Sequence, residues 1–238
     1  MKADAIIFDK DGTLIDFDAF WVAVSVQAVE DVLKKLGRED ISVNEIITAF
    51  GVNNGITDIN AVLCKGTYEQ LGKILYEVLT KYGCDISPDE AIKDLVDAYN
   101  ESSNAGEIIP TCSNLKEVLV NLKKQNKKLA VITTYNEDIT YKCLKKLGIE
   151  TLFDKIYTDD GKNPSKPDPY CALDFCRLTG VKKERTLMVG DTLTDVAFAE
   201  NAGIKIVGVA KTQQNREQLA PFADAVISDV SHLLEILE

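Results

Sequence analysis

The chain has 238 residues, 45% of them hydrophobic, which is enough to bury a full core and to carry a second unit inserted into the first. Its 38 acidic and 27 basic residues leave a net charge of −11, a field that repels polyanions and disfavours a nucleic-acid partner. One histidine excludes a zinc site built from several imidazoles, six cysteines without Cys-x-x-Cys spacing argue for reduced thiols, and the lack of a long apolar run or leader pattern predicts a cytoplasmic protein with no membrane partner.

The first predicted strand is Ala5-Ile6-Ile7-Phe8. Asp9 and Asp11 follow it directly, and Gly12-Thr13-Leu14 comes next. Like charges at a buried strand end are costly unless a cation or a shared proton offsets them, so the pair reads as chemistry. The competing reading is a strand-end turn, where Asp and Gly are ordinary. Strand alternation puts residues i and i+2 on one side, so Asp9 and Asp11 are expected to share a cleft while Lys10 points away as a structural residue.

From about Asp16 to about Ile109 the alternation gives way to helical patterns, which predicts a helical insert. Phe17, Phe20 and Trp21 open it as hinge or core packing. Ser42 with Glu45, Thr67 with Gln70, and Ser87-Pro88 with Glu90 fit capping boxes, and Gly51 and Gly83 mark helix ends. The stretch Gly51-Val52-Asn53-Asn54-Gly55 reads as a helix-helix connection.

After the insert, strands are predicted at 128–133, 155–158, 186–190, 205–209 and 225–228. A helix capped by Ser113 separates the insert from the first of them, with Leu115, Val118, Leu119 and Leu122 at helical spacing. Further helices are expected to end at Gly148, Gly180 and Gly203. Strands separated by helices imply an α/β core with a parallel sheet. His232, in Ser231-His232-Leu233-Leu234, reads as a surface histidine of a terminal helix.

Asp9, Asp11, Thr133, Lys166, Asp191 and Asp195 all fall at carboxyl ends of predicted parallel strands or in the loops beyond them, the edge where open α/β sheets bind ligands. Each has a bland alternative. Asp191 and Asp195 suit a helix N-terminus, Thr133 could be a strand residue and Lys166 a loop lysine. Converging carboxylates with no nearby His or Cys call for a hard, oxygen-loving cation such as magnesium. Pro167 stiffens the loop that carries Lys166.

The motifs Asp9-Lys10-Asp11-Gly12-Thr13, Thr133 after Leu129-Ala130-Val131-Ile132, Lys166-Pro167, and Gly190-Asp191-Thr192-Leu193-Thr194-Asp195 stand in the order and spacing that resemble the haloacid dehalogenase superfamily, in its phosphatase branch. The resemblance spans essentially the whole chain and is similar to the helical-cap subclass that includes phosphoglycolate phosphatases. It implies a Rossmann-like parallel sheet with helices on both faces, formed by residues 1–16 and 110–238, and an all-helical cap domain at 17–109.

It further implies a magnesium-dependent phosphatase that hydrolyses a small phosphorylated metabolite, a phosphoglycolate-like ester or a sugar phosphate, as a monomer or homodimer. Asp9 would be the nucleophile and form an aspartyl-phosphate, and Asp11 the acid and base. Thr133 and Lys166 would bind the phosphoryl group. Asp9, the Asp11 carbonyl and Asp191 would hold Mg2+, with Asp195 behind them. Asp11 favours phosphate esters, because relatives that cleave carbon-halogen bonds lack an acid there. Gly12-Thr13-Leu14 is similar to the phosphatase form. A sugar phosphomutase of the β-phosphoglucomutase type, and a phosphoacceptor signalling module without turnover, are the alternative readings. Where related phosphatases carry Asn after the second-motif Thr, this chain has Thr134 and Tyr135.

Overall fold

The computed structural model describes residues 1–102 and 106–238. Among them the strands, in chain order, are β1 (Ala5–Phe8), β2 (Val52–Asn53), β3 (Ile56–Thr57), β4 (Lys128–Ile132), β5 (Lys155–Tyr157), β6 (Thr186–Gly190), β7 (Lys205–Val209) and β8 (Ala225–Ile227). The chain divides into two compact units, Met1–Asp16 with Ile108–Glu238, and Phe17–Glu107.

In the first unit six parallel strands form one sheet in the order β5-β4-β1-β6-β7-β8. All four residues of β1 are fully buried, as a central parallel strand covered on both faces requires. The chain leaves β1 for β4 and β5 on one side and then crosses to β6 on the other. This makes the carboxyl end of β1 the point where the winding reverses and a crevice opens. The helix Leu115–Lys124 buries Leu115, Val118, Leu119 and Leu122, the four positions its periodicity selects. Its N-cap is Asn114 and not the predicted Ser113, and no side chain caps it.

The second unit is helical, built chiefly from Ala23–Lys35, Tyr68–Lys81 and Pro88–Ser102. Gly72 lets two of these approach closely, since a Cβ there would lie 2.6 Å from Ile92 Cα. Thr67 and Gln70 form the predicted capping box, and Ser87 and Glu90 exchange the equivalent bonds. Ser42 makes no side-chain cap, and Glu45 instead accepts a hydrogen bond from the Tyr82 hydroxyl at 2.5 Å. Phe20 and Trp21 are buried edge to face, with ring centroids 5.1 Å apart, inside one π-helical turn.

The unit is not helical throughout, because the stretch expected to connect two helices is an antiparallel hairpin of β2 and β3. Its turn is Asn54-Gly55, with φ of 51° and 76°, the left-handed pair that a two-residue hairpin turn requires. Asp18 ties it down, accepting from the Thr57 amide at 3.0 Å and the Thr57 hydroxyl at 2.7 Å.

Candidate active site

The sheet order carries Asp9, Thr133 and Asp191 to one edge, just past the ends of β1, β4 and β6. The Asp9 amide still donates to the Val189 carbonyl at 2.9 Å, so the backbone of Asp9 is fixed by the sheet after the strand itself has ended. Asp9 is buried and Asp191 partly exposed, while Asp195 is fully buried. One carboxylate oxygen from each of the three lies within 4.8 Å of the other two.

Lys166 binds this cluster. Its Nζ donates to Asp9 Oδ1 at 2.5 Å and to Asp195 Oδ1 at 2.6 Å, and only 3% of its side chain is exposed. Asn201 Nδ2 donates to the Pro167 carbonyl at 2.9 Å and so ties the lysine's loop to the helix Leu193–Ala202. The other oxygen of Asp195 accepts from the Thr192 amide at 3.0 Å and the Thr192 hydroxyl at 2.7 Å, completing the capping box of that same helix. Asp195 is therefore both a cap and a partner of Lys166. The two bland readings of these residues, helix cap and loop lysine, do not exclude the functional one.

Two glycines permit the crowding. Gly12 has φ of 86°, and a Cβ there would stand 2.0 Å from Asp191 Oδ2. A Cβ at Gly190 would come within 2.4 Å of Asp195 Cγ. Thr13, to which its motif alone assigned no role, donates its hydroxyl to Asp191 Oδ1 at 2.9 Å. Gly12→Ala is thus expected to displace Asp191 and to destabilise the fold by more than about 1 kcal/mol through its left-handed backbone. Thermal melts check this: the variant should melt lower, and a native-like melting temperature would contradict the close approach.

Thr133 is buried one residue past β4. Its amide donates to the Tyr157 carbonyl at 3.1 Å and its hydroxyl accepts from the Tyr135 amide at 3.3 Å. Asp11 and Lys10 differ from expectation. Because β1 ends at Phe8, the turn closed by Leu14 and Ile15 amides on the Lys10 carbonyl begins before strand parity can reach Asp11. Lys10 does not point away from Asp11; its Nζ donates to the Asp11 carboxylate at 2.5 Å. Asp11 lies outside the three-carboxylate cluster, although its charge acts on Asp9.

Burial pushes the Asp9 carboxyl up to about 7, with the charges of Asp195 and Asp11 adding to it and Lys166 opposing it. Asp191 is raised well above the usual carboxylate range by burial and by Asp9 and Asp195. Burial alone would lower Lys166, but Asp195 and Asp9 hold it above its ordinary value, so the ammonium persists. Three carboxylates against one lysine leave a negative excess that a divalent cation would neutralise, and an all-oxygen donor set suits magnesium.

The sign of the linkage is fixed by the upward shift of Asp9. A carboxyl raised on folding binds its proton more tightly in the native state, so magnesium-free stability should fall as pH rises from about 4 towards about 7. Saturating magnesium should flatten that decline, and Asp9→Asn should reduce it. Chemical denaturation across this range is the check, and a native stability that rises throughout the window without metal would contradict it.

The haloacid dehalogenase-like hydrolase family matches residues 6–209. The chain is 29% identical to Pyrophosphatase PpaX of Bacillus velezensis, over 99% of this chain and 96% of that protein. A predicted phosphoglycolate phosphatase from Haemophilus somnus has a similar fold, with a TM-score of 0.74 at 22% identity, covering 99% of this chain and 98% of that one. So does Bacillus subtilis YfnB, solved bound to magnesium, with a TM-score of 0.72 at 20% identity and 99% coverage of each chain.

Proposed function

As the chain belongs to the haloacid dehalogenase-like hydrolases, we propose that it is a magnesium-dependent phosphohydrolase that cleaves a small phosphate ester or pyrophosphate through a phosphorylated Asp9. The observation that carries this reading is the buried Asp9–Lys166–Asp195 bridge beside Asp191. It sets one carboxylate at the sheet edge next to a fixed cation, which suits attack on a phosphoryl group.

In this reading Asp9 attacks phosphorus, the bond from phosphorus to the leaving oxygen breaks, and Asp11 supplies the leaving oxygen with its proton. Lys166 and Thr133 hold the phosphoryl oxygens. Water then attacks the aspartyl-phosphate, giving its proton to Asp11, and Asp9 is restored. Asp9, the Asp11 carbonyl and Asp191 would hold Mg2+. Both oxygens of Asp195 are engaged by Lys166 and Thr192, which supports a place for it behind the ion. Bound there, the ion would neutralise charge on the transferring group. The unit Phe17–Glu107 is proposed as the cap of this reaction, excluding water while the phosphoryl group is transferred.

Full-length relatives named as pyrophosphatases bring pyrophosphate into the substrate class alongside carbon phosphates. Phosphate release from pyrophosphate, phosphoglycolate and sugar phosphates, with and without magnesium, tests the proposal. Magnesium-dependent release from at least one is expected. Transfer between positions of one sugar without free phosphate would favour the mutase reading, and a stable phospho-protein without turnover the phosphoacceptor reading.

A further inference from the structure

Lys10 has no part in the proposed chemistry, yet its side chain is wholly removed from solvent, at 0% exposure. Its Nζ lies 2.5 Å from both Asp11 Oδ1 and Asp11 Oδ2, and 5.2 Å from the centroid of the Tyr135 ring, whose π face favours a cation. The main chain is equally constrained: the Lys10 carbonyl accepts from the Leu14 and Ile15 amides at 2.9 Å each, and the Gly12 amide donates to the Ile15 carbonyl at 2.7 Å. Asp11 is thus gripped between a fixed backbone and a fixed ammonium. A neutral side chain would fill the same space without the cost of burying a charge, so the pairing itself points to a use for the Asp11 carboxylate in that orientation.

We propose that Lys10 is a positioning residue, which holds the Asp11 carboxylate in the orientation that accepts a proton from the water attacking phosphorylated Asp9. This rests on the reading of Asp9 and Asp11 given above. In the step concerned, the water oxygen bonds to phosphorus, its proton passes to Asp11, the bond from phosphorus to the Asp9 oxygen breaks, and phosphate leaves. Without Lys10 the Asp11 side chain loses the group that fixes it against the turn and can rotate away from the attacking water.

The test is pre-steady-state turnover of p-nitrophenyl phosphate by the magnesium-loaded protein, whose leaving group departs without a proton. Lys10→Met and Lys10→Gln should give a burst of nitrophenolate followed by turnover slowed about 10- to 100-fold per burst equivalent, and Lys10→Arg should recover part of the loss. The burst amplitude counts the folded, active sites, so partial misfolding does not mimic the result. Asp11→Asn should behave like Lys10→Met, and the double variant should be no slower than Asp11→Asn. Turnover per active site unchanged in both Lys10 variants, or a burst slowed in step with turnover, overturns the proposal for Lys10 alone. Unchanged turnover in Asp11→Asn overturns the underlying reading instead.

Discussion

Asp9→Asn is expected to reduce phosphate release by at least about 10⁴-fold, the scale on which removal of a covalent nucleophile acts. The amide keeps the shape of the side chain but cannot form a stable acyl-phosphate, so the loss should fall on kcat. Stability should move the other way. Removing one of three crowded carboxylates relieves repulsion in a cluster that has a single lysine as counter-charge, so in magnesium-free buffer near pH 8 the variant should melt above the native protein. Turnover within tenfold of native, or a lower melting temperature, would count against Asp9 as the crowded nucleophile.

Lys166→Met carries the second large effect, and here activity and stability should fall together. The ammonium is nearly inaccessible and bridges two buried carboxylates, so its removal leaves both unpaired. Breaking a buried pair in this way costs about 3–5 kcal/mol. With Lys166 holding the phosphoryl group as proposed, its loss should lower kcat by about 10²- to 10³-fold. Saturating magnesium should return part of the lost stability. Denaturant titration with parallel steady-state kinetics separates the two effects, and a variant with native kcat would reduce Lys166 to a structural bridge.

Much of this arrangement could be read from residue order alone. The apolar runs ending at Phe8, Ile132 and Gly190 fix three strand ends, and parallel pairing brings Asp9, Thr133 and Asp191, the residues just past those ends, to one edge. Chain order assigned Lys166 to the loop beyond β5 at the same edge, but the residues 158–165 have no periodicity to fix their path, so its bridge between Asp9 and Asp195 could not be read from the sequence. Parity failed at Lys10 because two residues past the strand the backbone is already turning. The Lys10–Asp11 pair is a product of that turn and not of strand alternation.

Local signals were also unequal in strength. Thr67 with Gln70 caps its helix and Ser42 with Glu45 does not, although both fit the pattern: the Glu45 amide donates to the Ser42 carbonyl and its carboxylate accepts from Tyr82. The Asn54-Gly55 turn is a hairpin signal, but with strands of two residues it has too little alternation around it to stand out from a helix connection. Asp191 and Asp195 were placed at a helix N-terminus by their spacing, and the cap itself is Thr192, in a box with Asp195. That Asp195 also serves Lys166 with its second oxygen is a matter of tertiary placement, as is the approach of Gly12 to Asp191.

The central claim is that phosphate passes through Asp9. Asp11→Asn, loaded with magnesium and mixed with p-nitrophenyl phosphate, should form the phosphorylated protein and release it slowly. Acid quench at the end of the nitrophenolate burst, borohydride reduction and peptide mass spectrometry should then find homoserine at position 9. Homoserine at another aspartate, or a stoichiometric burst with Asp9 unmodified, would contradict the account.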